Sequence, residues 1–260
     1  MSTRFRSPDN PPPPGEILAA TAHRPWVLPE RPWIMLQTLR HTLYAHWALP
    51  AEQLRPLLPS GLTLDLYHGQ AWLSLVPFRV ARTRLHGLPP IPGLSAFDEL
   101  NARTYVVKDG KPGVWFFSLD VTNRLVVEGA RIGFRSPFFH ADIQLTRRED
   151  GILIVSRRTD PRLTSGVFEA RYRPANASVF IAQPGTLDHW LTERYCLYTV
   201  SRGRLFRGNI HHLPWRLQPA EAAIVTNSVT RAHGIPLSGA PSLLHYSERQ
   251  DMLAWALERA

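Results

Sequence analysis

The residues whose types and spacing best suit chemistry lie in one stretch, Glu99 to Asp120. Asp109-Gly110 is a strong two-residue turn signal between apolar and aromatic runs, so a β-hairpin is expected with strands over 101–107 and 114–119. The side-chain period of two puts Glu99, Asn101, Arg103 and Tyr105 on one face of the first strand. A two-residue turn pairs 103 with 116, 101 with 118 and 99 with 120. That register gathers Glu99, Asn101, Arg103, Tyr105, Phe116, Ser118 and Asp120 on one face. A slip by one residue would break the match.

On such a face Arg103 presents a planar fork suited to a carboxylate. Glu99 or Asp120 would hold that arginine or act as a catalytic acid or base. Asn101, Tyr105, Phe116 and Ser118 would complete a ligand-binding wall. The competing reading is the solvent side of an antiparallel sheet. Tyr105 and Phe116 are larger and more apolar than a solvent face needs, which favours an interior cavity.

Other chemistries lack their residues. The sequence has no phosphate-cradling Gly-rich loop ending in Lys-Ser/Thr and no dinucleotide fingerprint. It also lacks a His-Glu-x-x-His pair and a Gly-x-Ser-x-Gly elbow. Cys196 stands alone, so neither a disulfide framework nor a thiolate cage can form within the chain. The 11 histidines are scattered, with no pair at helical i, i+4 spacing, and they read as surface or hydrogen-bonded core residues. No metal and no cofactor is expected.

The net charge is +9, but the cations are arginines apart from Lys108 and Lys111. Arg171 and Arg173, then Arg202 and Arg204, alternate as solvent-facing strand residues do, and no basic run of five occurs. This pattern argues against nucleic-acid binding. No apolar stretch approaches the roughly 18 residues of a membrane span, and the first residues carry no apolar signal core. A cytoplasmic protein without a membrane partner is expected.

Around the hairpin, residues 1–30 are proline-rich and read as a polyproline-like tail or a strap, with one domain over 31–260. Beyond Trp33, short apolar runs alternate with Gly, Pro and Asp turns, the spacing of a β-rich domain. A strand is expected over 36–47 and a short helix over 50–58 that starts on Pro50. Residues 85–97 form a Gly/Pro-rich lid or rim. A helix over 122–134 carries a polar stripe of Arg124, Glu128, Arg131 and Arg135 opposite Leu125, Val126 and Ile132. Its Gly129 and Gly133 would permit close approach to a sheet. A short helix over 186–194 and separate strands over 243–247 and 252–258 follow. The expected fold is α+β and β-rich, an antiparallel or mixed β-barrel with a few peripheral helices.

Several stretches also resemble a known family. They are His46-Trp47, the run Leu54-Arg55-Pro56-Leu57-Leu58-Pro59-Ser60-Gly61-Leu62, and Ala71-Trp72-Leu73-Ser74-Leu75-Val76-Pro77-Phe78. Further matches are Glu99 to Val106, Gly110 to Asp120 and His245-Tyr246-Ser247. Together these resemble the YqjF-like bacterial family within the acetoacetate-decarboxylase-like superfamily, over roughly 31–257. The resemblance implies a β-barrel with outer helices and an internal ligand cavity, and it brings no established activity. The decarboxylases form a Schiff base through a lysine activated by a neighbouring lysine. Their lysine pair follows a Gly-x-Pro turn, whereas Gly113 and Val114 follow Gly110-Lys111-Pro112 here. Lys108 and Lys111 flank an exposed hairpin tip, where amines stay protonated.

The expectation is therefore a small anionic or keto-type ligand anchored by Arg103, with no Schiff-base lysine. Two alternatives stand beside it. One is a Schiff-base lyase or aldolase, and the other is a structural or interaction protein, such as a homodimer joined at strand edges.

Overall fold

The apolar runs and turns of the sequence translate into long strands in the computed structural model, which describes residues 12–260. In chain order these are β1 (Met35–Leu49), β2 (Thr63–Leu64), β3 (Ala71–Leu85), β4 (Phe97–Lys108), β5 (Lys111–Val121), β6 (Phe138–Arg148) and β7 (Gly151–Arg158). Then follow β8 (Val167–Pro174), β9 (Cys196–Ser201), β10 (Arg204–His212), β11 (Gln218–Asn227), β12 (Leu243–Ala254) and β13 (Glu258–Arg259). Helices α1 (Pro14–Ala19), α2 (Ala51–Leu54), α3 (Arg124–Gly133) and α4 (Leu187–Thr192) are short. The expected β-rich α+β class is observed.

The strand pairings close two rings that share a wall. One ring runs β5-β6-β7-β8-β11-β12-β1-β3-β4 and back to β5. The other runs β5-β9-β10-β12-β1-β3-β4 and back to β5. Most pairings are antiparallel, while β5 meets β6 and β9 in parallel. The shared strands, β12, β1, β3, β4 and β5, are therefore covered on both faces. Such strands read as near-continuous apolar runs rather than alternating ones.

The first ring is filled by side chains, with Leu43, Leu75, Leu100, Phe117, Ile154 and Phe168 at its centre. The second is not filled, and it holds the cavity described below. Which face each residue takes depends on irregularities. His41 has φ 55°, and the β1–β3 register shifts between Arg40 and Ala45. This bulge lets Leu39 and Tyr44 share the cavity side, while Leu43 and Ala45 enter the filled core.

Several boundaries differ from the sequence expectation. Residues 243–254 form one strand, not two, because β12 pairs along its length with β1. Pro50 is the residue before α2 rather than its first, and a 3₁₀ turn over Arg55–Leu57 completes that segment. Arg202 sits in the β9–β10 turn with φ 50°, not on a strand face. Within the strap, residues 1–11 lie outside the described residues. From Pro14 the chain is helical, and Ile17 is buried against Trp33, Leu36, Leu253 and Trp255.

Candidate functional site

The hairpin of β4 and β5 forms as the turn signal requires, with Asp109 at φ 50° and Gly110 at φ 71°. Both signs match a type I′ turn. Tyr105 then pairs with Val114 and Arg103 with Phe116, as expected. Beyond that point Phe117 is an extra residue on β5, and the register shifts between Ala102 and Arg103. Ser118 now faces Ala102, Leu119 faces Asn101, and Asp120 faces Leu100. The expected pairings of 101 with 118 and 99 with 120 are thus overturned. A β-bulge inserts one residue and so exchanges the two faces of the strand beyond it.

The exchange splits the expected cluster. Asp120 and Ser118 point into the filled ring, where both meet Arg158 of β7. The guanidinium donates from Nε to Asp120 Oδ1 at 2.8 Å and from Nη2 to Asp120 Oδ2 at 2.9 Å. It also donates to Ser118 Oγ at 2.9 Å and to the Thr164 carbonyl at 3.2 Å. Neither partner of the ion pair is exposed. Burial raises the Asp120 carboxyl to about 6, although Arg158 pulls the other way. Both carboxylate oxygens of Asp120 are engaged by Arg158, which ties β5 to β7, and Asp120 does not line the cavity.

Glu99, Asn101, Arg103 and Phe116 face the second ring and line a cavity of about 530 Å³. All seven strands of that ring contribute to its wall, and α3 borders it through Val126, Gly129, Ala130 and Gly133. A Cβ built on Gly129 or Gly133 would meet nothing within 4 Å. Both glycines are exposed, and the close helix–sheet approach expected of them is absent. Leu125 and Ile132 of α3, expected to face a sheet, are 72% and 81% exposed.

The polar groups of the cavity are few and specific. Glu99 is buried, and burial raises its carboxyl to about 8, partly offset by the Asn101 side chain. At neutral pH it is therefore mainly a neutral acid, able to donate a hydrogen bond. Asn101 Oδ1 is buried and has no partner. Arg103 donates from Nη2 to the Leu191 carbonyl at 3.3 Å, and its Nε is buried without a partner. Its guanidinium lies 5.2 Å from the Tyr44 ring and 5.7 Å from the Tyr105 ring. Arg194 also lines the cavity, but it is neutralised by Asp65 at 2.6 Å. No carboxylate among the described residues pairs with Arg103.

Tyr105 is buried beside this end of the cavity without lining it. Its hydroxyl belongs to a network that sequence reading missed. Ser74 Oγ lies 2.7 Å from Tyr105 Oη and 2.6 Å from His46 Nδ1. His46 Nε2 lies 3.3 Å from His245 Nδ1, and His245 Nε2 lies 3.0 Å from Asp188. The chain runs from the half-exposed Asp188 to the buried Tyr105. Burial, then His245 and Arg103, lowers His46 well below the usual imidazole range. Both histidines fall within the stretches that resemble the YqjF-like family, the one signal that marked them. Their meeting depends on β1 pairing with β12 and β3, with His46 opposite Ser74 and Tyr44 opposite His245. Among the described residues no group of three or more His, Cys, Asp or Glu is arranged to hold a metal.

A family model described as an uncharacterized conserved protein, DUF2071, matches residues 36–251. The chain belongs to this family. It is 50% identical to the uncharacterized protein YqjF of Bacillus subtilis over 232 residues, 89% of this chain and 95% of that one. Among solved structures it is similar to acetoacetate decarboxylase from Legionella pneumophila, with TM-score 0.58, 13% identity and 91% of each chain covered. It is also similar to an acetoacetate decarboxylase-like enzyme from Sphingomonas wittichii, with TM-score 0.55 and 13% identity over 88% of this chain and 95% of that one. A third is the enduracididine biosynthesis enzyme MppR complexed with pyruvate, with TM-score 0.56 and 12% identity over 90% and 93% of the two chains. At these identities the likeness establishes the acetoacetate-decarboxylase-like fold alone. No helix among the described residues is long and apolar enough to cross a membrane.

Proposed function

We propose that this protein binds a small anionic or keto-type molecule in the cavity of the second ring, with Arg103 as the anchor. The observation that carries the reading is a cation without a counter-ion: Arg103 lines an apolar cavity and pairs with no carboxylate among the described residues. Cations withdrawn from water are normally paired, and an incoming anion would supply the missing partner. Asn101 Oδ1 offers a second unused polar atom, and protonated Glu99 offers a donor for a carbonyl or carboxyl oxygen. Glu99 is also the group in position to act as acid or base. Asp120, committed to Arg158, is left out of that role.

A related fold in complex with pyruvate is consistent with a keto-type ligand. The reading remains lysine-independent. Neither Lys108 nor Lys111 lines the cavity, and Lys108 lies 3.1 Å from Asp109 at the hairpin tip. The unfilled cavity favours a binder over a purely structural protein. The lone, buried Cys196 fits a cytoplasmic setting.

The test is titration calorimetry with pyruvate, acetoacetate and a longer carboxylate on the wild type and Arg103→Gln. Hydrogen bonds to charged groups contribute about 1.5–3 kcal/mol, so the variant should bind about 10- to 100-fold more weakly. Equal binding by a folded Arg103→Gln protein would sink the proposal. So would the failure of every carboxylate tried.

A further inference from the structure

The shape of the cavity narrows the class of ligand, on the proposed reading that Arg103 anchors an anion. Cavity-lining residues follow one another along β4 from Phe97 through Glu99 and Asn101 to Arg103. At about 3.3 Å per residue this wall is roughly 20 Å long. Its two ends differ in chemistry. At one end Arg103 meets the α4 backbone, beside Tyr44 and Arg194. At the other, Phe97 pairs with Val80, and Met35 pairs with Leu85 where the rim loop begins. Leu85 both lines the cavity and is 48% exposed, so this apolar end opens to the surface.

Along α3 the cavity is open rather than roofed, since its lining residues Gly129 and Gly133 are exposed and a Cβ at either would meet nothing within 4 Å. In the cavity wall Asn101 Oδ1 is buried and unpartnered. A volume of about 530 Å³ lies in the range that holds drug-sized ligands and far exceeds what a short keto acid such as pyruvate fills.

We propose that the ligand is an amphipathic carboxylic or keto acid, with its head at Arg103 and an unbranched apolar tail running along β4 to the opening at Leu85. Each tail methylene leaves water for an apolar wall, so affinity rises about fourfold per added methylene until the tail reaches that opening.

Binding of acetate, hexanoate and decanoate to the full chain, measured by calorimetry or competition, tests this, with decanol as the analogue lacking the anion. Decanoate should bind roughly 100-fold or more tightly than hexanoate, and decanol should bind far more weakly than decanoate. Equal affinities for hexanoate and decanoate, both lost in Arg103→Gln, would overturn the tail and leave the anchor intact. Binding of all three acids that ignores Arg103→Gln would overturn both, as would no binding of any acid.

Discussion

Glu99→Gln should remove a pH dependence that burial has built into the fold. The Glu99 carboxyl is raised from the ordinary glutamate value of 4.5 to about 8 in the folded protein, chiefly because burial penalises the charged form. Between those values the folded chain keeps a proton that the unfolded chain releases. Unfolding free energy therefore falls as pH rises through this window, and the effect levels off above pH 8. At about 1.36 kcal/mol for each pH unit, the full loss approaches about 5 kcal/mol. Glutamine has nearly the same size, stays neutral and lies in the same apolar cavity. The variant should therefore match the wild type near pH 4.5 and gain on it steadily up to pH 8. Urea unfolding of both proteins at pH 5, 6, 7 and 8 measures the difference directly. The His211 imidazole, lowered to about 4, titrates in both proteins and cancels in the comparison, whereas the charge on Asp120 adds to the Glu99 shift and is part of the same loss. Parallel stability curves from pH 5 to 8 would refute the reasoning, because they would mean Glu99 is already ionised and hydrated in its cavity.

Two further perturbations test the surroundings of the cavity. Asp120→Ala strands Arg158 in the filled ring and should cost about 3–5 kcal/mol, seen as a lower urea midpoint at unchanged slope. Replacing Asp120 and Arg158 together by leucine and methionine should recover most of that loss, and an additive double mutant would refute the pairing. His46→Phe leaves His245 Nδ1 facing an apolar ring, at about 1–3 kcal/mol for that stranded group, while Ser74 Oγ keeps Tyr105. His245→Phe made in the His46→Phe background should then cost clearly less than it does alone, as a shared network requires.

The hairpin, its turn and the residues that could bind an anion are legible in the order of amino acids. Asp109-Gly110 could hardly be anything but a tight turn, and the period of two placed Glu99, Asn101 and Arg103 together, as the structure does. The scarcity of lysine likewise weighs against Schiff-base chemistry. Tertiary structure alone decided which partners share that face. In Val114-Trp115-Phe116-Phe117-Ser118-Leu119-Asp120 both faces are buried, so no in-and-out alternation reveals where the period breaks. The bulge at Phe117 arises because one strand serves two interiors. Phe117 fills the first ring, Phe116 and Leu119 border the cavity of the second, and Asp120 must reach Arg158 on β7. The same holds for His46 and His245, which are 199 residues apart and meet only because β1 and β12 pair. Local patterns fix what a strand can offer on each face. The closing of two rings around shared strands fixes which interior each face enters.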